Sequence, residues 1–485
     1  MLTLCGAPEP TEAERAAALA VGLDDVRARY PNYAGTLVQK EFTVPVANIG
    51  VAETVMNGFV DDALGAQDHL MFFSPYSLEP CLAKAAKEFL ESQADGVAAG
   101  LTATEATNAA VCSTDGVSPL YDEYSLYAGA EAAAAQSAQE AAAEVLFHGG
   151  ALGLRNEVPN AVLFLPTQEE TALARAEWVT LPAAFLNLES MGRAHFSFES
   201  TQYEATRLAA AEAGAVDAAT GITAPAVVWV ESREVGYGEP PSYVVKQALY
   251  QEEMTRDAGA RFPTVADLPG GLPDFQGNVQ YGWNGPDQGA DAAAEAESRA
   301  AAAAALLQDV RAWAGADALL VLIDETFVAD PADADQASFQ ATWCLDNGAC
   351  GSSPAAPDAD LRAAVAGATV LREDRRVADL DVETYGFVPL AWFESLVAFP
   401  SRGLADLVSV VRPAAAPQGW RRVYLRDIRA GESVIVVESD LCRKDLDICT
   451  EERHEQEHVG ASGAAGWGAA ASAVVAMVVA FVAAL

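Results

Sequence analysis

Five residues near the end of the chain, His454-Glu455-Gln456-Glu457-His458, match the H-E-x-x-H pattern. On a helix that spacing puts two imidazoles on one face to hold zinc, with the glutamate as base. The surroundings deny the segment that chemistry. TEERHEQEHVG has no apolar face to bury a metal-bearing helix, and the uncharged stretch after it supplies no third ligand. It reads as a solvated stalk. No G-x-S-x-G and no G-x-x-x-x-G-K-[ST] occurs, and His69, His148 and His195 fall in no catalytic motif. His148, in FHGG, is expected at a helix end. The sequence therefore points away from an enzyme and implies no metal site and no cofactor.

Cysteines offer a different chemistry. Cys344 and Cys350 enclose CLDNGAC, and Cys442 and Cys449 enclose CRKDLDIC. Both spacings suit short loops closed by local disulfides, and Cys81 with Cys112 would make a third bridge; Cys5 is left over. Zinc is the rival, but no C-x-x-C occurs and no histidine stands close enough to complete a site. Disulfides imply an oxidising compartment.

Aromatic residues gather where strands are expected to end: Tyr76, Tyr237, Tyr243, Tyr281, Trp283, Tyr385 and Trp392. Ligands of open α/β sheets bind at the carboxyl ends of strands, and aromatic faces suit a large planar or chelated ligand. Trp229 and Trp392 also fit an ordinary core. Tyr237, Tyr281 and Trp283 fall in loop-like sequence and are the stronger ligand candidates.

The elements that must position these residues alternate. FTVPVANIGV (42–51) and HLMFFS read as strands around the helical ETVMNGFVDDAL, and SLEPCLAKAAKEFLES follows as an amphipathic helix. An alanine-rich helix over 129–146 and the strand AVLFLP (161–166) close this half. That order predicts an α/β fold with mostly parallel sheets. Thr167 and Glu170 form a capping box before a largely helical run to about residue 213, which Pro182 should kink or split and Gly192 weaken. The alternation then resumes with the strand APAVVWVES (224–232), a helix over 242–259 ending at Gly259, an alanine-rich helix over 291–315 and the strand ALLVLIDETF (318–327). Short helices in AWFESLVAFP and GLADLVSVV follow, then a strand in ESVIVVES (432–439). GGLPDFQGNVQYGWNGPDQG (270–289) reads as a surface loop.

Composition bounds location and partners. The chain has 485 residues and a net charge of -40, which repels phosphate backbones and excludes nucleic acid as a partner. The last 25 residues carry no charged side chain. A fully apolar helix of about 20 residues spans a bilayer, so this tail is expected to be a membrane anchor or a GPI signal cut near Ser462, Gly463 and Ala464. MLTLCGAPEPTEAER has no basic n-region and too short an apolar run for a signal peptide, which suggests a leader upstream of Met1.

FTVPVANIGVAETVMNGFVDDALGAQDHLMFFS, AEWVTLPAAFLN, VVKQALYQEEMTRDAGARF, ALLVLIDETF and YGFVPLAWFESLVAFPSRGLADLVSVVRP carry one further reading. Over most of residues 1–440 the chain resembles the class III periplasmic binding proteins, which take cobalamin, haem and ferric siderophores for ABC importers, and their eukaryotic relatives. The resemblance implies two Rossmann-like lobes joined by one backbone helix, with ligand in the cleft between them. Pro182 departs from a straight connector. The expected organisation is an N-terminal lobe (1–166), a connecting helical segment (167–216), a C-terminal lobe (217–450), a stalk (451–463) and a hydrophobic anchor helix or GPI signal (464–485). The function implied is an extracellular, membrane-tethered solute-binding protein for a small-molecule metal chelate, working with a transporter. The alternatives are a hydrolase or other enzyme on the same scaffold, distinguished by carboxylates and a histidine converging in the cleft, and an adhesion or surface-coat protein with a filled cleft.

Overall fold

The computed structural model describes residues 38–73, 143–149, 158–233, 241–274, 276–284, 292–345, 367–379, 388–437 and 473–479, together with 82, 118–119 and 365. Short β-branched and aromatic runs form the strands of the first half. These are β1 (Val38–Val44), β2 (Ile49–Val51), β3 (Leu70–Phe73), β4 (Ser118–Pro119), β5 (Val145–His148) and β6 (Ala161–Leu163). Strands β2 to β6 form a sheet in the order β4-β3-β2-β5-β6, with every pair parallel. Parallel strands are covered on both faces, so they need continuous apolar sequence, not alternation. All four residues of β5 are accordingly buried, and His148 lies inside that strand instead of ending a helix. The core here is aromatic and packed edge to face: Phe147 meets Phe164 at 6.0 Å and Phe185 at 5.4 Å.

Helix α1 (Thr54–Asn57) leaves the end of β2 and runs on as a π-helical turn over Gly58–Ala63. A Cβ on Gly58 would lie 2.4 Å from the carbonyl oxygen of Glu394, so glycine is what lets the two backbones touch.

The helical run, expected to kink or split at Pro182, is divided into three helices: α2 (Ala172–Glu177), α3 (Thr180–Phe185) and α4 (Glu189–Ala219). The cap is Thr171, whose side chain accepts from Ala174 N at 3.1 Å; Thr167 lies in a preceding 3-10 turn. Pro182 sits in the first turn of α3, where its missing N–H has no intrahelical partner to lose. The break falls at Asn187, in the left-handed region at φ 58°. Gly192 does not interrupt α4; it gives room for close packing on Ala183.

The second half is built on β7 (Ala226–Arg233), β8 (Ser242–Val245), β9 (Leu272–Pro273), β10 (Val279–Gly282), β11 (Leu320–Asp324), β12 (Thr369–Arg372), β13 (Arg376–Ala378), β14 (Arg426–Asp427), β15 (Ile435–Val437) and β16 (Ala473–Val479). Its helices are α5 (Leu249–Asp257), α6 (Ala292–Ala314), α7 (Gln336–Thr342), α8 (Ala391–Glu394) and α9 (Pro400–Val411). The large sheet runs β14-β12-β11-β7-β8-β10-β9. Its centre, β12-β11-β7, is parallel, and its outer pairs are antiparallel. It is therefore mixed where mostly parallel pairing is expected. The period of two along each strand sorts its core. Val228, Val230, Leu320 and Leu322 face α6, while Val227, Trp229, Val321 and Ile323 face α4, α5 and α9.

Two further expectations change. Ser242–Val245 is a strand and not the start of a helix; β-branched Val244 and Val245 favour the pleated surface, and only Leu249–Asp257 is helical. The glycine-rich 270–289 stretch contains β9 and β10, because Val279 and Tyr281 are buried against the sheet. At the chain end, Ala473–Val479 is a strand paired antiparallel with β1 from Val38↔Val479 to Val44↔Ala473. AVVAMVV is short, apolar and Val-rich, a composition that periodicity cannot separate from helix. The expected anchor helix over 464–485 is thus corrected at 473–479, and its other residues, like the stalk, lie outside the described ones. Among the described residues no helix is long and apolar enough to cross a membrane.

One buried carboxylate fastens the last part of this half. Asp406 on α9 accepts from the backbone N–H groups of Val423, Tyr424 and Leu425 at 2.6–3.0 Å, and from Trp420 Nε1 at 2.9 Å. Burial pushes its pKa up to about 6 even though these four donors pull it down. Asp406→Ala would strand buried donors, each costing about 1–3 kcal/mol. The expected result is a loss of roughly 3–5 kcal/mol in the denaturant midpoint, with Asp406→Asn intermediate.

Candidate functional site

Register decides which side chains meet. Val230 of β7, Asp324 of β11 and Arg372 of β12 stand side by side across the parallel centre of the large sheet. One residue further along each strand comes a glutamate: Glu231, Glu325 and Glu373. Three like charges on neighbouring strands repel one another unless something offsets them.

The offsets are specific. Arg372 donates to Asp324 Oδ2 at 2.6 Å, to Asp374 Oδ2 at 2.7 Å and to the Thr326 carbonyl at 2.8 Å. Arg426 grips Asp374 with two N–H groups at 2.7 and 2.8 Å, and reaches the carbonyls of Pro331 and Ala334. Asp324, Asp374, Arg372 and Arg426 are all buried. Two guanidinium groups against two carboxylates close this network at zero net charge, which is what lets it exist away from water. Thr326 joins it, donating its hydroxyl to Asp324 Oδ1 at 2.5 Å.

The glutamate row is only partly compensated. Lys246 Nζ lies 3.0 Å from Glu231 Oε2 and 3.8 Å from Glu325 Oε2, and Arg233 donates to Glu231 at 3.0 Å. Gln251 donates to Glu325 Oε1 at 2.6 Å. The Glu325 and Glu373 carboxyls adjoin, and the negative charge of Glu325 raises the proton affinity of Glu373. Burial raises the Glu325 pKa to about 7, with Lys246 opposing the shift and Glu231 reinforcing it. Burial and the neighbouring Glu325 likewise hold Glu373 well above the usual carboxylate range.

These groups floor a cavity of about 410 Å³. Glu231, Glu325, Glu373, Asp374 and Arg372 supply its polar wall. Its apolar wall comes from Phe327, Val328 and Pro331 after β11, and from Val388, Pro389, Leu390 and Phe393 around the start of α8. Thr54, from α1 of the first half, completes it. Phe327 is 71% exposed and Phe393 54%, so each presents apolar surface at the cavity. The site thus lies where the expected α/β rule puts it, at the carboxyl ends of β7, β11 and β12.

Four of the aromatic residues singled out from the sequence, Tyr243, Tyr281, Trp283 and Trp392, lie elsewhere. Tyr243 stacks on Trp343 at 4.7 Å and packs on Trp283 at 4.7 Å, within the core on the α6 side. Tyr281 is buried there too, donating to Asp309 at 2.7 Å. Trp392 packs on Trp229 at 5.5 Å in the opposite core. None of the four lines the cavity; each ring is large enough that the sheet faces use it as filling. Tyr76, Tyr237 and Tyr385 lie outside the described residues. Cys344 is disulfide-bonded. The other cysteines, Cys350, Cys442, Cys449, Cys81 and Cys112 among them, lie outside the described residues, so the pairings remain proposals. Sequence reasoning missed the acidic floor, whose signal is a strand ending directly in charge: LVLID before Glu325 and TVLR before Glu373-Asp374.

No protein-family model matches the chain, and no curated protein matches its sequence. Solved structures similar to it are periplasmic binding proteins for haem and ferric siderophores, the type the sequence resembles. One is a periplasmic haem-binding protein from Pseudomonas aeruginosa, at 13% identity and TM-score 0.40, covering 79% of this chain and 98% of that one. Another is the siderophore-binding protein FhuD from Vibrio cholerae bound to Fe3+-Desferal, at 13% identity and TM-score 0.35, covering 76% and 99%. A third is the haem-binding protein RhuT from Roseiflexus sp. RS-1 in apo form, at 13% and 0.36, covering 76% and 99%.

The raised carboxyls give a signed pH dependence. Between the ordinary value of 4.5 and the folded value of about 7, the native Glu325 holds a proton that the unfolded chain has lost. Stability from this group is full at acid pH, falls as pH rises through that window, and levels off above it. Thermal unfolding from pH 5 to 8 should show the decline, and Glu325→Gln should flatten it and raise the midpoint by a few degrees at pH 8.

Proposed function

We propose that the chain is an extracytoplasmic solute-binding protein that captures a small-molecule metal chelate, without covalent chemistry. The observation that carries this reading is the cavity at the carboxyl ends of three parallel strands, lined from the large sheet, from the α8 region and from Thr54 of the first half. Its volume falls within the roughly 300–1,000 Å³ of small-molecule sites, and its mainly apolar lining with a few convergent polar groups is what such sites use. The chelate class (haem, ferric siderophore, cobalamin) follows the resemblance carried by the sequence, and a transporter would be the receiving partner. A disulfide at Cys344 supports an oxidising, extracytoplasmic compartment. The segments proposed as lobes are 1–166 and 217–450, with 167–216 between them.

One rival gains from a particular observation. Two converging carboxyls of raised pKa would suit general acid–base work, although no histidine lines this cavity. A filled, vestigial cleft is at odds with an open cavity of about 410 Å³.

Thermal unfolding in the presence of haem, ferric hydroxamate and cobalamin tests the proposal. A ligand at 100 times its Kd stabilises by about 2.7 kcal/mol, so one of the three should raise the midpoint clearly. Replacing Phe327 and Phe393 by alanine should weaken that ligand about tenfold, equivalent to about 1.4 kcal/mol, without changing the free protein's midpoint. No shift with any of the three removes the chelate class, and turnover of a bound compound would favour the enzyme instead.

A further inference from the structure

The cavity is acidic in a way that its own cations do not cancel. Arg372 is spent on Asp324, Asp374 and a carbonyl, and Lys246 lies nearest to Glu231. That leaves Glu325 and Glu373 with less positive charge than negative. Glu373 is only 3% exposed yet lines the cavity, and its Oε2 has no hydrogen-bond donor among the described residues. A buried acceptor without a donor carries the desolvation cost of that atom in the empty protein. A ligand that brings the donor relieves it.

We propose that the Glu325–Glu373 pair is the specificity element of this site, selecting solutes that present an ammonium or amidinium group, which supplies the donor that Glu373 Oε2 lacks. The inference rests on the solute-binding reading and narrows it. It disfavours chelates whose outer groups are carboxylates, because these would face Glu231, Glu325 and Glu373 at once. It favours chelates that are cationic at one end and apolar along the side facing Phe327 and Phe393.

The proton moves in a defined direction. Above pH about 7 the empty pair keeps one proton and one negative charge; the bound cation meets two carboxylates, and the proton leaves to solvent. Binding therefore tightens as pH rises through the titration of the pair. The other charged or titratable groups facing it are Glu231 from β7, Lys246 after β8, Tyr250 from α5 and Arg372 from β12, with Arg175 of α2 set over the Tyr250 ring at 3.8 Å. Burial pushes the Tyr250 hydroxyl upward, so it stays neutral across this range.

Three probes separate this inference from the reading beneath it: ferric desferrioxamine with its free terminal ammonium, the same chelate N-acetylated, and benzamidinium. Affinities are measured calorimetrically on the native chain and on the Glu325→Gln/Glu373→Gln variant. The native protein should prefer the free ammonium at least tenfold and release a proton on binding, seen as a heat that changes with the buffer's ionisation enthalpy; the variant should lose both. Equal binding of the two chelates, or a preference that survives in the variant, overturns the carboxyl-pair role while leaving a chelate binder. Benzamidinium bound by the native protein and lost in the variant, with neither chelate bound, keeps the carboxyl-pair role and removes the chelate reading. Silence from all three probes removes both. Should the variant fail to fold, the proton count on the native protein decides: binding of an ammonium or amidinium probe without proton release overturns the inference.

Discussion

Arg372 bridging Asp324 and Asp374 is the interaction on which the rest of the second half depends. It ties β11 to β12 where their backbones stop pairing, and Arg426 extends the tie to β14 and to the chain around Pro331. Each of these charges would be prohibitively costly alone in the interior, and each has a partner at hydrogen-bond distance. The network fixes the height at which the three parallel strands end. That in turn fixes the floor of the cavity and the spacing of the glutamates that rise from it.

The two halves meet over that floor through small contacts with strict geometry. Gly58 touches the backbone at Glu394, and Val397, Ala398 and Phe399 of the second half pack into the core of the first. Thr54 reaches the cavity because α1 begins directly after β2. The site is thus assembled from elements whose positions are set by packing, and its polar wall is held in place before any ligand arrives.

Much of the architecture was legible in the sequence, and the reason is periodicity. Apolar runs such as AVVWVES and LLVLID marked buried parallel strands, and the long helical region at mid-chain emerged, divided into three helices. What stayed hidden was pairing. Nothing in the order of residues says that Asp324 stands beside Arg372, so the charged ends of these two strands gave no sign of a site. The aromatic rings misled for the converse reason: Tyr243, Tyr281 and Trp283 follow turn-rich sequence, but β8 and β10 pair and fold them inward. A valine-rich stretch without charge could be lipid-spanning helix or strand, and at Ala473–Val479 the partner β1 decided for strand.

Helix α4 has a mechanical consequence. Its 31 residues span about 46 Å at 1.5 Å per residue; its first turns pack on the first half through Gly192 and Phe196, and its later ones on the second through Tyr203 and Ala210. At its N-terminal end the chain turns through a single left-handed residue, Asn187, before α3 embeds Phe185 in the first half. The helix is therefore one stiff beam shared by both halves, seated by packing on each side of the Asn187 turn, so a cut or a helix-breaking residue in its middle would uncouple the two cores without touching the cavity.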